Sequence, residues 1–279
     1  MIIDGRKIRE EMLKDIAKNI SMLSFAPVFC DILVGSDPAS AQYVRMKAKT
    51  AESVGIKFYP ATFPDAITTE ELIEEIRTLN HMPNMSGIIV QLPLPSHLDR
   101  QKILDAIDPL LDVDCLGSVA SKMFYENNNP IGFPTALACI KALDSTAINL
   151  ADKNIIVLGR GNLVGKPVAH LLQAQELKIQ VIHSTTENPE VLIKQADVII
   201  SGIGKGKFIT GDKIKKGSIV IDAGTSEDNG GIVGDVDLAS VLPVASYVSP
   251  TPGGVGPITV AMLLNNVLQV AQKITVIKK

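Results

Sequence analysis

Tyr43 and Lys47 stand four residues apart in the segment ASAQYVRMKAKT, whose composition predicts a helix, so the two side chains share one face. A lysine beside an aromatic ring and partly withdrawn from water can hold its proton less tightly and pass protons on. The turn ahead of it, GSDPAS, ends a strand-like run and delivers the helix to the end of a strand, where open α/β sheets bind ligands. A plainer reading also fits: Tyr43 packs at the edge of a core and Lys47 runs its stem out to water. Gln91 closes another strand-like run, GIIV, and its amide can orient the lysine, hold a polar substrate group or cap the loop. Asp112 and Asp114 flank Val113. In an extended segment their carboxylates point the same way; in a turn, or at a helix start, they serve as caps.

A second constellation is GRGNLVG at 159–165, directly after the apolar run IIVL. Glycines there let the backbone turn tightly and approach a pyrophosphate, while the next helix supplies N–H donors and positive potential. The spacing G-x-G-x-x-x-G is one residue longer than the usual dinucleotide fingerprint, and a glycine-rich turn without a ligand is the alternative. The following strand decides the cofactor. It ends VIHSTT, with no acid before Glu187 to bind a ribose 2′-hydroxyl, and Arg160 lies inside the glycine turn. A guanidinium with hydroxyls suits a 2′-phosphate, so NADP is expected over NAD; a solvated loop charge is the other role open to Arg160.

The elements that must position these residues follow from periodicity. Helices are predicted over 5–24, 39–54 and 68–80, the last capped by Thr68 or Thr69, with strands over 27–34, 56–59 and 87–90. Residues 96–150 read as a mixed region with a helix near 134–144. A second alternation follows, with strands at 154–158, 179–183, 197–201, 218–222 and 246–248, helices at 165–175 and 191–195, and a final apolar helix over 258–272. Strands alternating with helices predict mostly parallel sheets. The fold class is two-domain α/β, an N-terminal α/β lobe plus a Rossmann-type NADP-binding lobe with a cleft between them. The expected boundaries are 1–138 plus 258–279 for a discontinuous catalytic domain and 139–257 for the nucleotide domain.

Bulk composition excludes several classes. A chain of 279 residues, 46% hydrophobic, can bury two cores. A net charge of −3 gives no electrostatic footprint for nucleic acid. Cys30, Cys115 and Cys139 are too few and too widely spaced for a disulfide framework or a zinc site, which fits a cytoplasmic protein without metal. The start, MIIDGRK, carries charge early and does not read as a secretory signal, and no apolar run approaches the ~20 residues of a membrane helix.

Several segments, in this order, make the chain resemble the bifunctional methylenetetrahydrofolate dehydrogenase/methenyltetrahydrofolate cyclohydrolase family: LVGSDPAS with YVRMKAK, IIVQLPLP, DVD, GRGNLVGKP, GDVD at 234–237 and TPGGVGPIT at 251–259. The resemblance spans essentially the whole chain. It implies oxidation of 5,10-methylenetetrahydrofolate with NADP, then hydrolysis to 10-formyltetrahydrofolate, within one-carbon metabolism and purine biosynthesis, by a homodimer. Lys47 would assist proton transfer and water attack, Tyr43 would stack on the folate, Gln91 would orient Lys47, and Asp114 would hydrogen-bond the pterin-like ring. Ser40 and the Pro252-Gly253-Gly254 turn would complete the substrate site. Gly159, Arg160, Gly161, Gly165, His183, Ser184 and Thr225 would contact the cofactor. The chain departs from the family pattern in four places. Gly161 stands where serine is usual, Cys115 where glycine is usual, Phe133-Pro134-Thr135-Ala136 replaces a P-C-T-P segment, and Gly206 stands where proline is frequent. A dehydrogenase without the hydrolytic step, another two-domain NADP dehydrogenase resembling shikimate dehydrogenase, and a non-catalytic protein on the same fold are the rival readings.

Overall fold

The alternation of apolar runs and amphipathic stretches folds into two sets of parallel strands. A computed structural model describes residues 1–228 and 230–277, the last two as backbone only. Along the chain it places α1 (Gly5–Ile20), β1 (Val28–Val34), α2 (Pro38–Ser53), β2 (Lys57–Phe63), α3 (Thr69–Asn80) and β3 (Met85–Val90). Then come α4 (Arg100–Asp105), α5 (Ser118–Tyr125) and α6 (Pro134–Asp144). β4 (Ile155–Leu158), α7 (Gly165–Gln173), β5 (Ile179–Ile182), α8 (Pro189–Gln195), β6 (Val198–Ser201) and β7 (Ile219–Asp222) follow. The chain closes with the hairpin β8 (Ser226–Asp228) and β9 (Gly231–Val233), then α9 (Leu238–Val241), β10 (Tyr247–Val248) and α10 (Val255–Ile277). Among the described residues no helix is long and apolar enough to cross a membrane.

Two compact units result, one of residues 1–10 with 135–262, the other of residues 11–134 with 263–279. The first ten residues therefore fall with the nucleotide-type unit, not with the N-terminal one as expected. The reason is local: Ile2 bridges Val248, Ile3 N–H donates to Val248 O at 2.9 Å, and Gly5 N–H donates to Gly253 O at 3.0 Å. The boundary near the C-terminus falls inside α10, between 262 and 263.

In the unit of residues 11–134, the parallel order is β2-β1-β3, with β1 in the centre. Six of the seven residues of β1 are buried, as a strand covered on both faces requires. Asp37 caps α2 by accepting from Ser40 N–H at 2.7 Å, with Pro38 at the first turn. Thr68, not Thr69, caps α3 in a reciprocal box: its hydroxyl accepts from Glu71 N–H, and the Glu71 carboxylate accepts from Thr68 N–H.

In the other unit five parallel strands run β10-β7-β6-β4-β5. Counted from β4 in chain order, this is the 2-1-3-4-5 arrangement, whose reversal of direction falls between β4 and β6. Its core includes Ile156, Leu158, Ile199, Val220 and Val248. The short helices α4, α5 and α9 and the β8–β9 hairpin are additions that periodicity did not resolve. Helices of four to eight residues are too short to show a clear repeat.

Candidate functional site

Within the unit of residues 11–134, Lys47 points inward. Ser40, Val44, Lys47, Thr50 and Ala51 form the buried face of α2, so the lysine occupies the position of a core residue. Its side chain is 3% exposed, and its Nζ lies 2.7 Å from Asp31 Oδ2 and donates to Gln91 Oε1 at 2.8 Å. The Tyr43 ring sits one turn earlier, its centroid 5.0 Å from Nζ, and is 40% exposed, which leaves an aromatic face open beside the ammonium. Gln91 is oriented in turn: its Nε2 donates to Leu92 O at 2.8 Å, and its backbone N–H extends the β3 ladder by donating to Ile32 O. The solvated-lysine reading is thereby excluded on geometry.

Asp31 is the residue that sequence reading missed. It lies in the middle of β1, fully buried, and neither carboxylate oxygen receives a donor with hydrogen-bond geometry among the described residues. Its one ion-pair partner among the described residues is Lys47. The signal was present: an acid inside the otherwise apolar run VFCDILV of a central strand costs several kcal/mol unless it is paired. Burial holds the Asp31 carboxyl above its ordinary range, with Lys47 pulling the other way.

The Asp112–Asp114 segment is a turn, not the extended stretch in which both carboxylates face one way. Cys115 N–H donates to Asp112 O at 3.1 Å, closing that turn. Asp112 looks back and accepts from Gly117 N–H at 2.7 Å. Asp114 is half-buried and senses Lys47. Burial lifts its carboxyl to about 7, opposed by Lys47 and reinforced by Asp112 and Asp31. Burial also lifts Asp112, to about 6, against the backbone N–H groups it faces. The turn is seated on β3 because Gly87 lacks a Cβ: one built there would come within 3.1 Å of Val113 and Val267. Asn266 on α10 clamps it further, donating to Val113 O and Gly132 O at 2.8 and 2.7 Å. Cys115, where the family pattern has glycine, adopts φ +58°, a left-handed conformation that glycine enters without strain. Its buried thiol is pushed far above the ordinary range by burial, so it is a packing group and not a nucleophile.

The glycine turn belongs to the other unit. It leaves β4 at the point where strand order reverses, and Gly159 takes φ +99°. A Cβ on Gly165, which opens α7, would lie 2.1 Å from Gly159 O, so only glycine lets the helix start this close to the strand end. Gly161 has no atom within 4 Å of a built Cβ, and Arg160 beside it is exposed. His183, Ser184 and Thr225 are exposed after β5 and β7. The room at Gly161 and the close approach at Gly165, where α7 begins, fit a dinucleotide phosphate.

Across the reversal point, the loop after β6 is shaped by an acid that sequence reading left without a role. Asp235 is fully buried; it accepts from Ser201 Oγ at 2.7 Å, Ile203 N–H at 2.8 Å and Lys205 N–H at 2.7 Å. Asp222 at the end of β7 accepts from the N–H groups of Gly224, Asp235 and Val236, and burial raises its carboxyl to about 6. A Cβ on Gly234 would meet Asp222 Oδ2 at 1.8 Å, which explains the glycine of the GDVD motif. Pro252, Gly253 and Gly254 form a turn closed by Gly254 N–H on Pro250 O at 2.7 Å, in the same unit. Ser40 is buried at the start of α2. Tyr43, Lys47, Gln91 and Asp114 thus gather in one unit, and the glycine turn, His183, Ser184, Thr225 and Pro252–Gly254 in the other.

A parallel α/β unit with a glycine turn at its reversal point, paired with a second α/β unit built around a buried lysine, defines a two-domain α/β protein of the nucleotide-dependent type. The chain belongs to the tetrahydrofolate dehydrogenase/cyclohydrolase family. Residues 3–114 match that family's catalytic domain, and residues 134–275 its NAD(P)-binding domain. It is 38% identical over 275 residues to the bifunctional protein FolD of Lacticaseibacillus paracasei, covering 97% of each chain. The crystal structure of bifunctional FolD from Campylobacter jejuni is 35% identical and superposes with a TM-score of 0.92, covering 98% of this chain and 99% of that one. The Trypanosoma brucei enzyme, solved with NADP and an inhibitor, is 34% identical at a TM-score of 0.91, covering 98% and 97%. Family membership sets aside the reading of another two-domain dehydrogenase.

Proposed function

We propose that the protein oxidises 5,10-methylenetetrahydrofolate to the methenyl form with NADP and hydrolyses that product to 10-formyltetrahydrofolate. The observation that carries this reading is Lys47, buried yet held beside an exposed tyrosine ring by Asp31 and Gln91. Family membership supplies the reaction class, and the glycine turn with Arg160 and no acid at the end of β5 before Glu187 supports NADP.

Bound NADP supplies the hydride acceptor. The chain's own part is positioning and proton handling. The open face of Tyr43 stacks on the folate ring, and Asp114, whose carboxyl is protonated over part of the neutral range, both donates to and accepts from the ring's polar edge. In the second step water oxygen bonds to the methenyl carbon, and Lys47 Nζ takes the proton that water gives up. The bond from that carbon to N5 then breaks as N5 takes up a proton and the new hydroxyl releases its own, which leaves the formyl group on N10. Gln91 fixes Nζ where that exchange occurs. Ser40, at the start of the same helix as Tyr43 and Lys47, completes the substrate-contacting residues of that unit. We further assign the protein to a cytoplasmic homodimer serving purine biosynthesis; three free, buried cysteines suit a reducing compartment.

Separate assays of the two steps test the proposal. With methylenetetrahydrofolate, NADP should give reduction at a higher kcat/KM than NAD. Lys47→Met should abolish hydrolysis of the methenyl product while folate affinity stays within a few-fold. Full hydrolytic turnover in that variant would remove Lys47 from the mechanism.

A further inference from the structure

The pairing of Lys47 with a carboxylate from the centre of β1 is not demanded by the fold. β1 is covered on both faces, and an apolar residue at 31 would satisfy that packing without cost. The chain instead spends a buried acid there, whose one ion-pair partner among the described residues is the Lys47 ammonium 2.7 Å away. Lys47 Nζ is therefore gripped from two elements, by Asp31 on β1 and by Gln91 after β3, with Tyr43 of its own helix alongside. Asp114, on the turn seated on β3, feels the Lys47 charge, and Asp112 adds to the negative charge around it.

We infer that Asp31 is a positioning residue for Lys47: it fixes Nζ beside the substrate and sets the pH at which that nitrogen can accept a proton, and so governs the hydrolytic step and not hydride transfer. A carboxylate in contact favours the charged ammonium over the neutral amine, so water is activated only at a pH where the pair gives up its proton. Gln91, being neutral, fixes geometry without this charge effect. Hydride transfer moves no proton through Nζ and is insensitive to the pair. The inference rests on Lys47 being the proton acceptor of hydrolysis.

The test is the pH–rate profile of methenyltetrahydrofolate hydrolysis for the unaltered protein, Asp31→Asn and Asp31→Val, with the dehydrogenase rate measured alongside and Lys47→Met as reference. In both Asp31 variants the limb of the profile that depends on Lys47 should move to lower pH. The dehydrogenase rate should stay within about threefold. An unchanged profile, or both steps falling by the same factor, overturns the role of Asp31. If Lys47→Met hydrolyses normally, it is the functional reading that fails, whatever Asp31 does. Should either Asp31 variant fail to fold, the unaltered protein still decides. Carboxyl carbon and Nζ nitrogen signals of the two side chains, followed by NMR, should titrate together as one coupled pair; two independent titrations overturn the proposal.

Discussion

At the scale of single residues, Asp235 shows how one buried acid can hold a whole loop at a strand reversal. Its three donors come from Ser201, Ile203 and Lys205, all in the segment that follows β6 beside the strand reversal. Asp235→Asn keeps one acceptor oxygen and turns an NH2 group toward one backbone N–H, of Ile203 or of Lys205, that then has no acceptor. Leaving such donors unsatisfied costs about 1–3 kcal/mol. Chemical denaturation should show a loss of that size in the unit of residues 135–262, and NADP titration should show weakened binding. A variant with unaltered midpoint and affinity would remove the loop-shaping role. The GDVD motif was visible in the sequence, but nothing local to it says that its first acid reaches back thirty-four residues to Ser201.

At the scale of an element, the turn between β4 and α7 separates two kinds of glycine. Gly165 is structural: its missing Cβ lets α7 begin against the Gly159 carbonyl. Gly165→Ala should force the helix start off the strand end, cost several kcal/mol of stability by overpacking against backbone, and abolish nucleotide binding. Gly161 faces open space, so Gly161→Ser should fold with stability changed by less than about 0.5 kcal/mol. It restores the hydroxyl usual in the family and should raise NADP affinity, measurable by fluorescence titration. Equal damage from both substitutions would show that the glycines serve the same purpose. The turn was legible from the sequence because strand, glycines and helix are contiguous. The different tasks of its glycines were not, since they depend on which carbonyl lies opposite. The same holds for the Asp112–Asp114 segment, where the sequence left an extended stretch, a turn and helix caps open, and the structure shows a turn packed on Gly87 and held by Asn266.

At the scale of the whole molecule, raised carboxyls set the pH dependence of stability. Asp112 and Asp222 stand near 6 and Asp114 near 7, all lifted first by burial, against an ordinary value of 3.8. Between the ordinary and the raised values the folded protein binds more protons than the unfolded chain, so stability falls as pH rises from about 4 to about 7. Asp37, Glu71, Asp99 and Asp197 are held low by hydrogen bonds and work the other way: their contribution is lost as pH drops through and below 4. Calorimetry should therefore place the highest Tm near pH 5, with lower values at pH 8 in both units. A Tm climbing steadily from pH 5 to 8 would contradict the burial of these groups.

By itself the sequence determined the alternation of strands and helices, a cap for α3 at Thr68 or Thr69, the glycine turn and the Tyr43–Lys47 spacing, because periodicity, capping and backbone freedom act between residues close along the chain. Tertiary structure alone decided that Lys47 is buried against Asp31, that Asp235 and Asp222 tie separate strand ends together, and that the first ten residues join the other unit. Those outcomes depend on which segments are brought alongside and on how much water is excluded between them, and neither is written in any local stretch of residues.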